Sequence, residues 1–508
     1  MESKISRRLK QPLAQEIIQN IPLPRLTREF HGNFEMLTQI NLAHLLMLEE
    51  QGVLDHDICK KLAKALTQMH AEGPEAVELD PAREEAYFNY EAHLISLVGP
   101  DIGGRLHTGR SRNDMGATVD RIRARDYEIR ITQALKNVVA LAISKAEEFS
   151  DAVMPGYTHM QAAQPITLGY YFSALADAWT RDIGRLLNAL ETTDASPLGA
   201  CALAGTSFSI DRFSTSALLG FSQPVASALD SVASRDFVLE LNGALTIMMV
   251  TCSRMAQDFY IWSTPEFGYL AFPDSVSTTS SIMPQKKNPM VLEYLRGKSA
   301  NFIGNSASAL SVVKSTAFSH AGDSSREGSR ICWESCEEAL RCLQLVELLI
   351  RNVELQRARM VARAAEDFSA VTDLADLLVR DADISFRDAH HIIGAVVRDA
   401  MDKGITSKGI TAAMISSAAE AQIERPVLLR EQAVSECLDP VRNVNARNSY
   451  GAPAPQLVRE RAVHQRRHLE EKASVLEAAV NRIQLARLEL FNRANSLAAD
   501  AVSDSASF

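Results

Sequence analysis

The residues best placed to do chemistry lie in one run, Thr278-Thr279-Ser280-Ser281-Ile282-Met283-Pro284-Gln285-Lys286-Lys287-Asn288-Pro289. Serine hydroxyls, two lysines and an amide between chain breakers make a loop able to grip a carboxylate. Lys286 and Asn288, two apart in an extended segment, would aim their donors the same way. A bare Lys-Lys-Asn-Pro string is usually a solvated turn; the double serine and the Met-Pro ahead of it argue against that here. His159 follows the turn Gly156-Tyr157-Thr158, where a histidine on its own is more often a hydrogen-bonded packing residue than a catalyst. Arg112 and Asn113 stand among small polar residues ahead of a long breaker-free stretch. An arginine there can hold a carboxylate bidentately, and Asn113 or Asp114 can equally cap a helix.

Such groups need rigid supports. From Ala117 to Met154 there is neither proline nor glycine, and Ile131, Leu135, Val138 and Ala142 recur at the spacing of one helix face. Arg235 to Ser263 contains a single glycine and is apolar almost all round, which predicts burial on several sides, other subunits included. Arg330 to Val361 is a third such stretch. Rods of this length pack as a bundle, and breakers cluster beside them at residues 99–113, 155–165 and 265–289, where loops on rigid helices can carry function. Past Phe368 the helices become shorter. The expectation is an all-α chain in three parts: a mainly helical N-terminal domain over 1–105, a central long-helix bundle over 106–362, and a small helical C-terminal domain over 363–508. Its last residues, 495–508, read as a frayed tail.

The 508 residues carry a net charge of −10, which argues against nucleic acid as a partner. An anionic substrate must then be held by local basic groups. Seven scattered cysteines, with no histidine at metal-ligand spacing, read as reduced cytoplasmic thiols and not as a zinc site. Met1–Arg8 is basic without the apolar run of a signal peptide. The most apolar stretch, 239–261, contains Glu240, Arg254 and Asp258, so a bundle helix suits it better than a bilayer. No membrane partner is expected.

The run Ser280–Pro289 resembles the signature loop of the aspartase/fumarase superfamily, and His107-Thr108-Gly109-Arg110-Ser111-Arg112-Asn113-Asp114 narrows the resemblance to its argininosuccinate lyase branch. Gly156–Gln161, Pro197-Leu198-Gly199, Ser234-Arg235-Asp236-Phe237 and Phe386-Arg387-Asp388-Ala389-His390-His391 support the same branch. The resemblance spans residues 30–455. It implies an all-α, three-domain fold whose long helices form the core of a homotetramer, and a cofactor-free carbon–nitrogen lyase acting on an N-substituted aspartate. By that resemblance Ser280 is the base. Lys286 and Asn288, aided by Ser281, stabilise the doubly charged aci-carboxylate formed when a proton leaves carbon. His159 is paired with Glu293, seven residues after Lys286, and Thr158, Ser111, Arg112 and Asn113 hold substrate carboxylates. The three segments would come from three different subunits.

The amine side departs from the branch. Thr279 replaces a usual glycine. The branch's Ser and Asp contacts are missing from Phe30–Glu35, with Asn33 and Glu35 nearby, and Tyr87 stands where histidine is expected. Phe318–Glu327 replaces a Tyr-Asn run, placing His320, Asp323 and Arg326 near the amine end. A lost polar contact there is worth a few kcal/mol of discrimination, so citrulline is disfavoured. The pattern resembles ethylenediamine-N,N′-disuccinate lyases, which release fumarate to leave N-(2-aminoethyl)aspartate and then ethylenediamine. The alternatives are argininosuccinate lyase activity and a catalytically silent, crystallin-like structural role.

Overall fold

A computed structural model describes residues 11–366 and 368–499. Met1–Arg8 and the end of the expected tail lie outside the described residues. The N-terminal lobe contains α1 (Pro22–Glu50), α2 (His56–Glu72) and α3 (Ala86–Val98), packed around Phe30, Phe34, Tyr90 and Leu94.

Helix α4 spans Arg112–Glu148, 37 residues, or roughly 55 Å at ~1.5 Å per residue. It starts where it does because Ser111 and Asp114 form a capping box. The Ser111 hydroxyl accepts from Asn113 N at 3.4 Å, and the Asp114 carboxylate accepts from Ser111 N at 2.9 Å. The predicted stripe of Ile131, Leu135, Val138 and Ala142 is buried in the main core. A hairpin of β1 (Val153–Thr158) and β2 (Gln161–Thr167) turns the chain into α5 (Leu168–Thr193). The two helices touch at Gly169, where any Cβ would stand 2.3 Å from the Ala146 carbonyl oxygen, so only glycine permits the approach.

Helices α6 (Asp236–Trp262), α7 (Met290–Val313) and α8 (Ser329–Arg351) complete the bundle. Their directions follow from cross-helix bonds. Arg121, near the start of α4, donates to the Thr192 and Thr193 carbonyls at the end of α5. Tyr171, early in α5, donates to Asp258, late in α6. Ser299 donates to the Met249 carbonyl and Thr246 to the Phe302 carbonyl, setting α7 antiparallel to α6; Tyr294 donates to Glu338 and Asn305 to Ser335, setting α8 antiparallel to α7. One end of the bundle therefore gathers the starts of α4, α6 and α8. The other gathers the starts of α5 and α7 with the β1–β2 hairpin.

The third breaker-free stretch does not run to Val361. It stops at Arg351 because the Asn352 side chain bonds back to the Leu348 carbonyl at 2.8 Å, and Glu354–Leu355 then pairs with Leu270–Ala271. A compact cluster around Leu374, Ile392, Val396 and Leu438 forms the small C-terminal unit. Helix α9 (Pro455–Ala499) leaves that unit and returns along the bundle, with Arg461 on Asp177, Arg466 on Glu147 and Arg487 on Glu35. Its described end is not frayed: Leu490, Ala494 and Leu497 are buried against the N-terminal lobe.

Candidate active site

At the end where α4 begins, a cavity of about 120 Å³ opens between α1, α4 and α8. Six arginines line it (Arg25, Arg112, Arg123, Arg235, Arg326 and Arg330) against three carboxylates, Glu29, Glu85 and Asp120. Three of the arginines converge on one oxygen, Glu85 Oε1: Arg326 at 3.0 Å, Arg25 at 3.6 Å and Arg112 at 3.7 Å. Glu29 is held by Arg25 and Arg28. Burial lifts the Asp120 carboxyl above its ordinary range, and Arg235 and Arg123 beside it pull it back. Glu84 also pairs with Arg112, and Glu327 and Glu334 with Arg330, from outside the lining; within the lining itself the arginines outnumber the carboxylates.

Asn113, Tyr87 and His320 line the same cavity. Tyr87 offers its ring and not its hydroxyl, which donates to Glu91 at 2.7 Å and meets His107 Nδ1 at 2.7 Å. Burial, then the charge of Arg110, pushes His107 down to about 4, so it is neutral. His320 Nδ1 is buried with no partner among the described residues. Burial and then Arg235 lower its basicity, which leaves an uncharged ring among guanidinium groups. Asp323 lies outside the cavity lining; its exposed carboxylate accepts from Ser324 N at 2.8 Å, at the start of a π-helical turn.

The remaining sequence-predicted residues sit at the opposite end. His159 and Met160 are the central pair of the tight turn between Thr158 and Gln161, with φ of 52° and 58°. Non-glycine residues in this left-handed region cost roughly 1–2 kcal/mol each, a strain that accompanies functional positions. Thr158 and His159 are both exposed. The serine loop is a hairpin of β3 (Thr278–Thr279) and β4 (Lys287–Asn288) leading into α7. Ser280 Oγ accepts from the backbone N–H of Ile282 at 3.3 Å and of Met283 at 3.0 Å. These donors favour a charged serine oxygen before any other group approaches. Lys286 N bonds to the Met283 carbonyl, so Lys286 sits in the turn, and it is Lys287 that pairs with Asp274 at 2.8 Å. Ser281 to Lys287 are exposed, Ile282 to 83%. Glu293, in the first turn of α7, accepts from Tyr260 at 3.1 Å and does not meet His159 within the chain.

One chain thus splits the predicted residues between the two ends of a rod roughly 55 Å long. Arg112, Asn113, Ser111, Tyr87, His320 and Arg326 are at one end; Thr158, His159, Ser280, Ser281, Lys286, Asn288 and Glu293 are at the other. Sequence reading missed Arg25, Glu85, Arg123 and Arg235 as site residues. The spacing of Arg25, Glu29 and Asn33, each four apart on one face of α1, was a legible signal. The buried Arg235 stood in the Ser234–Phe237 run that resembles the branch, a signal of family and not of its role.

A family described as Lyase matches residues 25–304, and one described as Argininosuccinate lyase C-terminal matches residues 368–445. Argininosuccinate lyase 1 of Shouchella clausii (strain KSM-K16) is 40% identical over 448 residues, 88% of this chain and 90% of that protein. Argininosuccinate lyase of Methanoculleus marisnigri is 37% identical over 453 residues, 88% of this chain and 91% of its own length. Among solved structures, EDDS lyase in complex with formate superposes with a TM-score of 0.85 at 30% identity, covering 92% of each chain.

Proposed function

Because the chain belongs to the argininosuccinate lyase branch of the aspartase/fumarase superfamily and is a carbon–nitrogen lyase, we propose that it releases fumarate from an N-substituted aspartate whose amine half carries carboxylate of its own. The observation that carries this is the arginine surplus of the cavity beside Arg112. A carboxylate, that of Glu85, already sits where three guanidinium groups meet. The remaining positive charge suits further anionic groups and disfavours a bare diamine, so the second release, which leaves ethylenediamine, should be the weaker of the two. Ethylenediamine-N,N′-disuccinate fits this best, since the amine released first, N-(2-aminoethyl)aspartate, bears two carboxylates. Argininosuccinate is the second reading, favoured by the activity named for the two curated relatives.

In the proposed reaction Ser280 Oγ takes the proton from the carbon beside a carboxylate. The charge moves onto that carboxylate, where Lys286 and Asn288 oppose it. Arg112, Asn113, Ser111, Thr158 and Ser281 hold the carboxylates of the departing fumarate. The C–N bond breaks, and the amine leaves with a proton supplied through His159, which Glu293 would orient. Because the residues lie at opposite ends of one chain, we place the site between copies of the chain, with Ser280 of one copy brought to Arg112 of another. The apolar faces left exposed by α6 and α7, with Ile247, Val250, Ile303 and Leu310, support burial between copies. Loss of fumarate's ultraviolet absorbance with candidate amines tests the reading. Consumption with N-(2-aminoethyl)aspartate but not citrulline or arginine selects the lead substrate; consumption with arginine alone selects argininosuccinate; equal consumption with ethylenediamine contradicts the acid-bearing amine.

A further inference from the structure

We infer that Arg123 is the far wall of the amine cavity and sets the length of amine the enzyme takes; the inference rests on the reading of that cavity as the amine side. Arg123 lies on α4, 11 residues beyond Arg112, or ~17 Å along the helix. Its guanidinium crosses the gap between the two flanking helices. Nη2 donates to Asn33 Oδ1 on α1, and the group lies 5.7 Å over the ring of Trp333 on α8. Beyond it the same three helices, with Arg487 of α9, border a second space, a groove of about 750 Å³. The small cavity and the large groove share four lining residues: Glu29, Arg123, Arg330 and Trp333.

None of the other three reaches from α4 to both neighbours. Glu29 is tied to Arg25 and Arg28 on its own helix, and Arg330 to Glu327 and Glu334 on its own. Trp333 stacks on Tyr127 with ring centroids 6.0 Å apart, and Tyr127 is itself anchored to Glu337 at 2.6 Å. Arg123 alone among the four bridges from α4 to both neighbours. Opposite it on α1 stands Gly32, where a Cβ would come 3.9 Å from Arg123 Nη2. Truncating Arg123 should therefore open a passage past Trp333 from the cavity of about 120 Å³ towards the groove of about 750 Å³ without removing a packed apolar side chain. The groove is lined by charges of both signs, with Asp126, Glu334 and Glu337 facing Arg130 and Arg341, so it would accept a longer amine ending in a polar group.

The test follows fumarate consumption with ω-amino acids lengthened one methylene at a time, for the wild type, Arg123→Ala, Asn33→Ala and Arg326→Gln. In the wild type, kcat/KM should fall by about tenfold or more at the methylene that first meets the wall. Arg123→Ala should raise the ratio of kcat/KM for long over short members by about tenfold, and Asn33→Ala, which frees the guanidinium from α1, should move it the same way. Arg326→Gln should raise KM for every member with no change of length preference. An unmoved length profile in both Arg123→Ala and Asn33→Ala, beside a raised KM in Arg326→Gln, overturns the wall and leaves the amine cavity standing. An unchanged amine KM in Arg326→Gln, or turnover of no member by any of the proteins, overturns the amine cavity and the wall together. Should Arg123→Ala fail to fold, the Asn33→Ala profile decides.

Discussion

Asp114 commits both carboxylate oxygens to the backbone. Oδ1 accepts from Ser111 N at 2.9 Å and Met115 N at 3.0 Å, and Oδ2 accepts from Gly199 N at 2.8 Å and Cys201 N at 2.9 Å. It thereby fixes the loop 197–201 against the turn carrying Ser111, Arg112 and Asn113, and Asn113 adds a bond to the Ala202 carbonyl at 3.2 Å. In Asp114→Asn one oxygen becomes an NH2 facing two buried N–H groups. At about 1–3 kcal/mol per unsatisfied buried group, the variant should lose roughly 2–4 kcal/mol in denaturant unfolding and show a raised KM for fumarate. Ser280→Ala should abolish turnover with assembly intact by size-exclusion chromatography; retained turnover would remove Ser280 as the base. At this scale the loop and motif residues could be named from the sequence, since they announce their chemistry by type, and the roles given to them are what these variants test. The roles of Glu85 and Arg235 were not legible, because an acid or arginine at a cavity wall looks like any surface charge until the helices are placed.

The helices were readable where one face was strictly periodic, as in α4, and less so where a polar side chain overrode the pattern, as Asn352 does at the end of α8. Direction and pairing were not readable, because they depend on cross-helix bonds such as Tyr171 to Asp258. One such contact makes a pH prediction. Glu128 is fully buried in α4, accepts from Thr193 at 2.9 Å, and has its other oxygen without a partner among the described residues. Burial lifts it from 4.5 to about 8, while Thr193 opposes the shift. Between those values the folded chain keeps a proton that the unfolded chain has lost, so stability falls as pH rises through the interval. Glu128→Gln, which cannot ionise, should flatten the decline in Tm across that interval. An unchanged slope would contradict the assignment.

Across the whole molecule the decisive fact is length. A rod of roughly 55 Å carries the arginine cavity at its start and, beside its far end, the histidine turn and serine hairpin. The composition of α6 signalled early that it would be covered on more than one side, and within one chain Ile247 and Val250 on it remain 46% and 40% exposed. Ile303 on α7 is 54% exposed on the same account. Ile303→Glu should dissociate the proposed assembly, read by light scattering, and abolish turnover while helical circular dichroism is kept. Turnover by a dissociated species would place a complete site within one chain. The division of the site is tested most directly by mixing two inactive proteins. Ser280→Ala and Arg112→Ala, each alone without turnover, should recover activity when differently tagged copies are co-assembled and isolated as hybrids, because some junctions then pair an intact serine hairpin with an intact arginine cavity. Hybrids that carry both tags and stay as inactive as their parents would contradict the account.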